Sequence, residues 1–253
     1  MTWLTTVTGL DMLSLLFCMA AVFAAAVIRG FSGFGLSALV VSSISLVLPP
    51  AEIVPMTLMM EAVASLRMLP AVRHDLDWKI LGGLMAGAVP AVPAGAWLLA
   101  SLPDAAMRGL ISLLVLAASL MVWRGIVFSR KPGMAAHGAT GVVSGGMFGA
   151  AAVGGLPVVV YLLAGSIPAA TTRAVLTLYL MLMGLYGAAV TGAFGLLGAE
   201  SVWRVAFFLP PLFVGVAIGG RKFARAGPDS YRRFTLVLLV VLALAGLARA
   251  AFG

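Results

Sequence analysis

Two glycine-rich runs hold the residues best suited to chemistry. The first reads Arg29-Gly30-Phe31-Ser32-Gly33-Phe34-Gly35-Leu36-Ser37. The second reads Ser144-Gly145-Gly146-Met147-Phe148-Gly149-Ala150-Ala151-Ala152-Val153-Gly154-Gly155-Leu156-Pro157. Each precedes a short apolar stretch, over 33–48 and 154–166. A helix that begins within a membrane leaves its first N–H groups without partners, at high cost in hydrocarbon. A bound anion satisfies them, and the helix dipole favours its charge. Ser32, Gly33, Gly35 and Ser37 are therefore candidate anion ligands, as are Ser144, Gly154 and Gly155. Pro157 suits a first helical turn, where a missing N–H costs nothing. The alternative reading is that the glycines permit close helix packing.

Further polar groups stand near these runs. Arg29 opens the first and Arg173 follows the second short stretch; each could attract or contact an anion, or simply mark an inner loop. Glu61 falls mid-way along an apolar segment, where carboxylates are functional or paired. Burial disfavours its charged form, which suits a proton-coupling group; a packing role beside an arginine is the alternative. Tyr179 occupies the matching place later in the chain, with a hydroxyl able to line the same cavity or to pack. No strand precedes the Gly-x-Gly runs, so they lack a nucleotide-binding context. His74 and His137 fall in or beside loops, Cys18 stands alone, and neither catalytic nor metal-ligand spacing appears. No catalytic residue, metal or cofactor is expected.

The surrounding elements are apolar throughout. Hydrophobic residues make up 62% of 253 and charged residues 9%, too little charge to cover a soluble domain. Glycine, proline and charge divide the chain into ten expected membrane segments: 11–29, 33–48, 51–69, 79–101, 104–126, 134–150, 154–166, 169–190, 200–222 and 229–251. The segment 11–29 reads as a retained helix, because no basic residue precedes it as in a signal peptide. With the N-terminus outside, 13 of the 16 Lys and Arg residues fall on the inside, and only Arg108, Arg204 and Arg249 outside. The net charge of +8 thus faces lipid headgroups rather than nucleic acid.

The halves resemble each other. Trp78, Gly95, Pro103, Asp104 and Arg108 return 125 residues later as Trp203, Gly220, Pro228, Asp229 and Arg233. Val40-Val41, Pro50-Ala51 and Leu58 return after 118 as Val158-Val159, Pro168-Ala169 and Leu176. The offsets differ by an insertion near Thr191–Glu200. The expected architecture is all-α and polytopic, with an N-terminal repeat over 1–127 and a C-terminal repeat over 128–253. Five segments per repeat, an odd number, make the second copy enter from the opposite side, as in secondary transporters.

The first run, together with Gly154-Gly155-Leu156-Pro157-Val158-Val159-Val160-Tyr161-Leu162-Leu163 and Pro168-Ala169-Ala170-Thr171-Thr172-Arg173-Ala174, resembles the signature regions of the sulfite exporter TauE/SafE family. Ala150-Ala151-Ala152 stands where many members carry further glycines, and Leu156 where a second proline or glycine is frequent. The resemblance implies a bacterial inner-membrane permease that exports sulfite, a sulfonate or a related anion. Its partners would be that anion and the bilayer, with a homo-oligomer left open. An anion channel is the nearest alternative; an intramembrane enzyme and a scaffold stand further off.

Overall fold

The computed structural model describes residues 8–45, 47–111, 113, 133–165, 167–225 and 237. Eight α-helices organise them: α1 (Met12–Ser32), α2 (Leu36–Ile44), α3 (Pro50–Val72), α4 (Trp78–Ser101), α5 (Met134–Ala151), α6 (Gly155–Ala164), α7 (Ala169–Ala193) and α8 (Ala199–Arg225). A single 3-10 turn, Arg73–Asp75, leads from α3 toward α4. α1, α3, α4, α7 and α8 are long and apolar enough to cross a membrane. The protein is a multi-pass membrane protein. Of the ten expected segments, 104–126 and 229–251 lie largely outside the described residues.

Local sequence explains where these helices start. Asp11 caps α1 by accepting from the Leu13 and Ser14 N–H groups, and Asp77 caps α4 through Lys79 and Ile80. α3 and α7 follow Pro49-Pro50 and Pro168, and proline at a helix start forfeits no intrahelical bond. The expected short stretches are short helices: α2 has nine residues and α6 ten. At 1.5 Å per residue they rise only about 15 Å, half a hydrocarbon core.

Two seams hold the bundle together, and glycine makes both. In the first, α4 lies against α5 so closely that a Cβ on Gly145 would stand 2.4 Å from the Ala88 carbonyl oxygen, and one on Gly87 would stand 2.0 Å from that of Gly138. The contacts advance together, from Leu84 with Gly141 to Val92 with Gly149, so the two helices run parallel. In the second seam α1 runs parallel to α8: Phe23 meets Gly215, and Val27 meets Gly219. Small residues every fourth position let backbones approach this closely. α3 and α7 cross between the seams, where Gly184 admits Leu58 and Ala62.

The glycine runs therefore divide into two kinds. α1 continues to Ser32 and α5 to Ala151, beyond the expected ends at 29 and 150. Gly30, Gly145 and Gly149 consequently lie inside helices and serve packing. The breaks themselves are Gly33-Phe34-Gly35 and Ala152-Val153-Gly154.

The seam makes a direct prediction. Gly145→Ala should lower the thermal stability of detergent-purified protein by about 1–3 kcal/mol, because the obstructing atoms are backbone and cannot yield. Gly82→Ala, where nothing lies within 4 Å, should be neutral or stabilising by up to about 1 kcal/mol. Equal melting temperatures for the two variants would contradict the close approach.

Candidate functional site

The first break needs two left-handed residues, Gly33 (φ 83°) and Gly35 (φ 96°), a conformation that glycine adopts without steric penalty. The Ser32 hydroxyl oxygen lies 2.8 Å from the Ile28 carbonyl and 2.7 Å from that of Phe34, and it accepts the Phe34 N–H. Ser32 thus fastens the bend itself. α2 then starts at Gly35 with no side-chain cap of its own.

Glu61 of α3 supplies the missing acceptor. Its Oε1 receives the Ser37 N–H at 3.1 Å and also the Ser37 hydroxyl. Its Oε2 faces Arg29 Nε at 3.0 Å, and both side chains are buried. Arg29 Nη2 donates to Ser65 Oγ at 2.6 Å, one turn further along α3. A carboxylate of the protein therefore occupies the electropositive start of the first short helix. Among the described residues, Glu61 is the one acidic side chain in the buried interior. Taking two ions out of water is costly, and close pairing with further hydrogen bonds offsets that cost.

The second break is built without charge. Ser144 Oγ donates to the Gly154 carbonyl at 2.5 Å. That leaves the Tyr179 hydroxyl, 2.6 Å away, as the donor to Ser144. Tyr179 is fully buried and meets the Phe148 ring edge to face. Ala152 takes a left-handed conformation (φ 57°), which costs a residue with a Cβ about 1–2 kcal/mol. The Gly154 position is closed by the Ser144 carbonyl and the Phe148 ring.

Between the two breaks lies a small cavity of about 10 Å3, room for about one water molecule. Phe34, Gly35, Ser37 and Ala38 line one side, Val153, Gly155 and Leu156 the other, with Glu61 and Leu180 between them. The starts of both short helices thus meet at one place. Of the expected site residues, the structure brings Gly35, Ser37, Glu61 and Gly155 to this cavity. Arg29 stands behind Glu61, while Ser32, Ser144 and Tyr179 brace the two bends. Gly33, Gly154 and Pro157 belong to the same bends but are not in the wall. Leu180, rather than Tyr179, faces the space.

Arg173 lies elsewhere. Its Nη2 donates to the Gly30 carbonyl at 2.7 Å, and its side chain crosses the Gly33 bend. It also borders a larger space of about 300 Å3, open to the surroundings, together with Arg67, Met68, Ala71, Val216, Ala217, Gly220 and Arg221.

Two further polar groups were not foreseen as structural centres. His137, expected in or beside a loop, is buried in the first turn of α5, and its Nδ1 is 2.6 Å from the Tyr161 hydroxyl. Arg204, expected on the outside, is buried: it donates to the Thr8 carbonyl, to Glu52 and to Glu200. The i, i+4 spacing of Glu200 and Arg204 was the available signal for part of that cluster. Nothing local pointed to Glu52.

The family model for the sulfite exporter TauE/SafE matches residues 18–246. No curated protein and no solved structure matches the chain.

Two predictions follow from the geometry of the breaks. Arg29→Met alone should destabilise the protein by about 3–5 kcal/mol, because it strands a buried carboxylate. Combining it with Glu61→Leu should recover much of that loss; additive losses in a double-mutant cycle would refute the pairing. Ala152→Gly should raise the melting temperature by the equivalent of about 0.5–1 kcal/mol, the relief of left-handed strain less the added freedom of the unfolded chain. A lower melting temperature would contradict the left-handed conformation at Ala152.

Proposed function

The chain belongs to the sulfite exporter TauE/SafE family, and on that premise we propose that it is a secondary carrier exporting sulfite, a sulfonate or a related sulfur oxyanion across a bacterial inner membrane. The observation that carries this reading is the meeting of two half-length helix starts at one cavity. Backbone N–H groups at such starts suit an oxyanion, which offers several acceptor oxygens and a negative charge. Gly35, Ser37 and Gly155 are its proposed contacts, with Arg29 and Arg173 supplying positive charge nearby.

Alternating access of two inverted repeats, over 1–127 and 128–253, is the proposed mechanism. The helix pairing supports it. α1 and α5, the first helices of the two repeats, each pack against the other repeat's fourth helix, α8 and α4 respectively. α3 and α7, the third helices, pack against one another. Equivalent helices thus make equivalent contacts, which a two-fold relation between repeats would produce. The charges fit the same orientation. Glu52 and Arg204 join at the starts of α3 and α8, while Arg67 and Arg221 stand 15 and 17 residues further along. That separation is about 22–26 Å of helix, so the two clusters belong to opposite faces. The positive-inside bias makes the Arg67–Arg221 end the inner one. The Arg204 cluster then ties the outer ends together while the larger space opens inward, an arrangement suited to a carrier with one side closed.

Glu61 is the proposed coupling group. Its carboxylate holds the N–H and hydroxyl of Ser37, so a substrate anion and ionised Glu61 compete for the same donors. Protonation weakens its hold on both Ser37 and Arg29 and frees the position for the anion. Proton uptake and anion binding would thereby be linked through one site.

Flux in proteoliposomes tests this reading. Sulfite or a simple sulfonate should move with saturating kinetics, exchange one for one, and respond to an imposed pH gradient. Glu61→Gln should abolish the response to the gradient while leaving exchange detectable. A protein that moves a different solute, or a Glu61→Gln variant with an undiminished pH response, would overturn the substrate or the coupling assignment respectively.

A further inference from the structure

The larger space borders three helices, and each contributes an arginine: Arg67 from α3, Arg173 from α7 and Arg221 from α8. Among the described residues, no acidic side chain lines it. Arg67 and Arg221 are exposed, and neither pairs with a carboxylate among the described residues. Arg173 is buried at its inner wall, anchored to the Gly30 carbonyl. The remaining wall is apolar or glycine: Met68, Ala71, Val216, Ala217 and Gly220. Three guanidinium groups around a low-dielectric recess focus a positive potential and concentrate anions within it. Arginine's planar fork also matches oxyanion geometry.

One face of α3 runs from the recess to the central site. Glu61, Ser65 and Met68 follow one another at i, i+4 and i+7 on α3, so they share a stripe about 10 Å long. Glu61 lines the central cavity, Ser65 accepts from Arg29, and Met68 lines the recess. Arg173 stands at the boundary, with its side chain against Gly33 of the first bend.

We infer that the Arg67–Arg173–Arg221 recess is a second oxyanion site, which holds the transported anion on the inner face before it passes to the central cavity. The inference rests on the proposed carrier function. A phospholipid phosphate has the same ligand chemistry, so the test separates the two sources.

The experiment compares the wild type with the double variant Arg67→Gln/Arg221→Gln, reconstituted in phosphatidylcholine vesicles with and without phosphatidylglycerol. Both changed residues are exposed, so the fold is retained; Arg67→Lys/Arg221→Lys keeps the charge as a second check. In both vesicle types the glutamine variant should raise the half-saturating sulfite concentration about tenfold, with the maximal rate kept, and the lysine variant should restore most of the affinity. Added salt should weaken the wild type more than the glutamine variant. An unchanged half-saturation overturns the inference, and so does an effect confined to vesicles with phosphatidylglycerol, which assigns the recess to a headgroup. If the wild type moves no sulfite or sulfonate, the carrier reading fails. Calorimetric sulfite binding in detergent then still decides the recess: equal binding by wild type and glutamine variant rejects it, and loss of binding in the variant upholds the recess as an oxyanion site.

Discussion

Three helices are held in register by one carboxylate. Glu61 lies out of water on α3, faces Arg29 of α1, and accepts two hydrogen bonds from Ser37 at the start of α2. Each partner has a need that the others meet. The guanidinium requires a counter-charge in a dry interior, and a helix beginning within the membrane requires an acceptor for its first N–H groups. Without this contact α2 has no cap, because Gly35 brings no side chain. The position of the first bend, and hence of the cavity wall opposite the second, depends on it.

The second half solves the same problem with neutral groups. Tyr179 lies on α7, which packs against the α3 helix that carries Glu61, and its hydroxyl reaches Ser144, which in turn holds the Gly154 carbonyl. The two bends are thus alike in backbone outline and unlike in charge. One bend is held by a buried ion pair and the other by hydrogen bonds between neutral groups.

Much of this was legible in the sequence. Glycine and proline mark chain breaks directly, so the short helices over Leu36–Ile44 and Gly155–Ala164 fall within the expected stretches. The isolation of Glu61 in apolar sequence pointed to a buried, paired or functional acid. Partnerships were less legible. Glycines at 141, 145 and 149 announce a close neighbour but do not say which helix it is. Arg204 read as one of three basic residues on the outside; its tie to Glu52, distant in sequence, had no local signal. His137 was hidden similarly, since Tyr161 reaches it only once α6 folds back toward the start of α5.

The seams carry a consequence for how the chain is put together. α1 is fastened to α8 and α4 to α5 through backbone contacts that no side chain could enter. Each seam therefore joins one sequence half to the other, so neither half packs as a unit by itself. Severed between α4 and α5, either fragment would expose a glycine groove shaped for a helix it no longer possessed. The seam made by α1 cannot close until α8 has emerged.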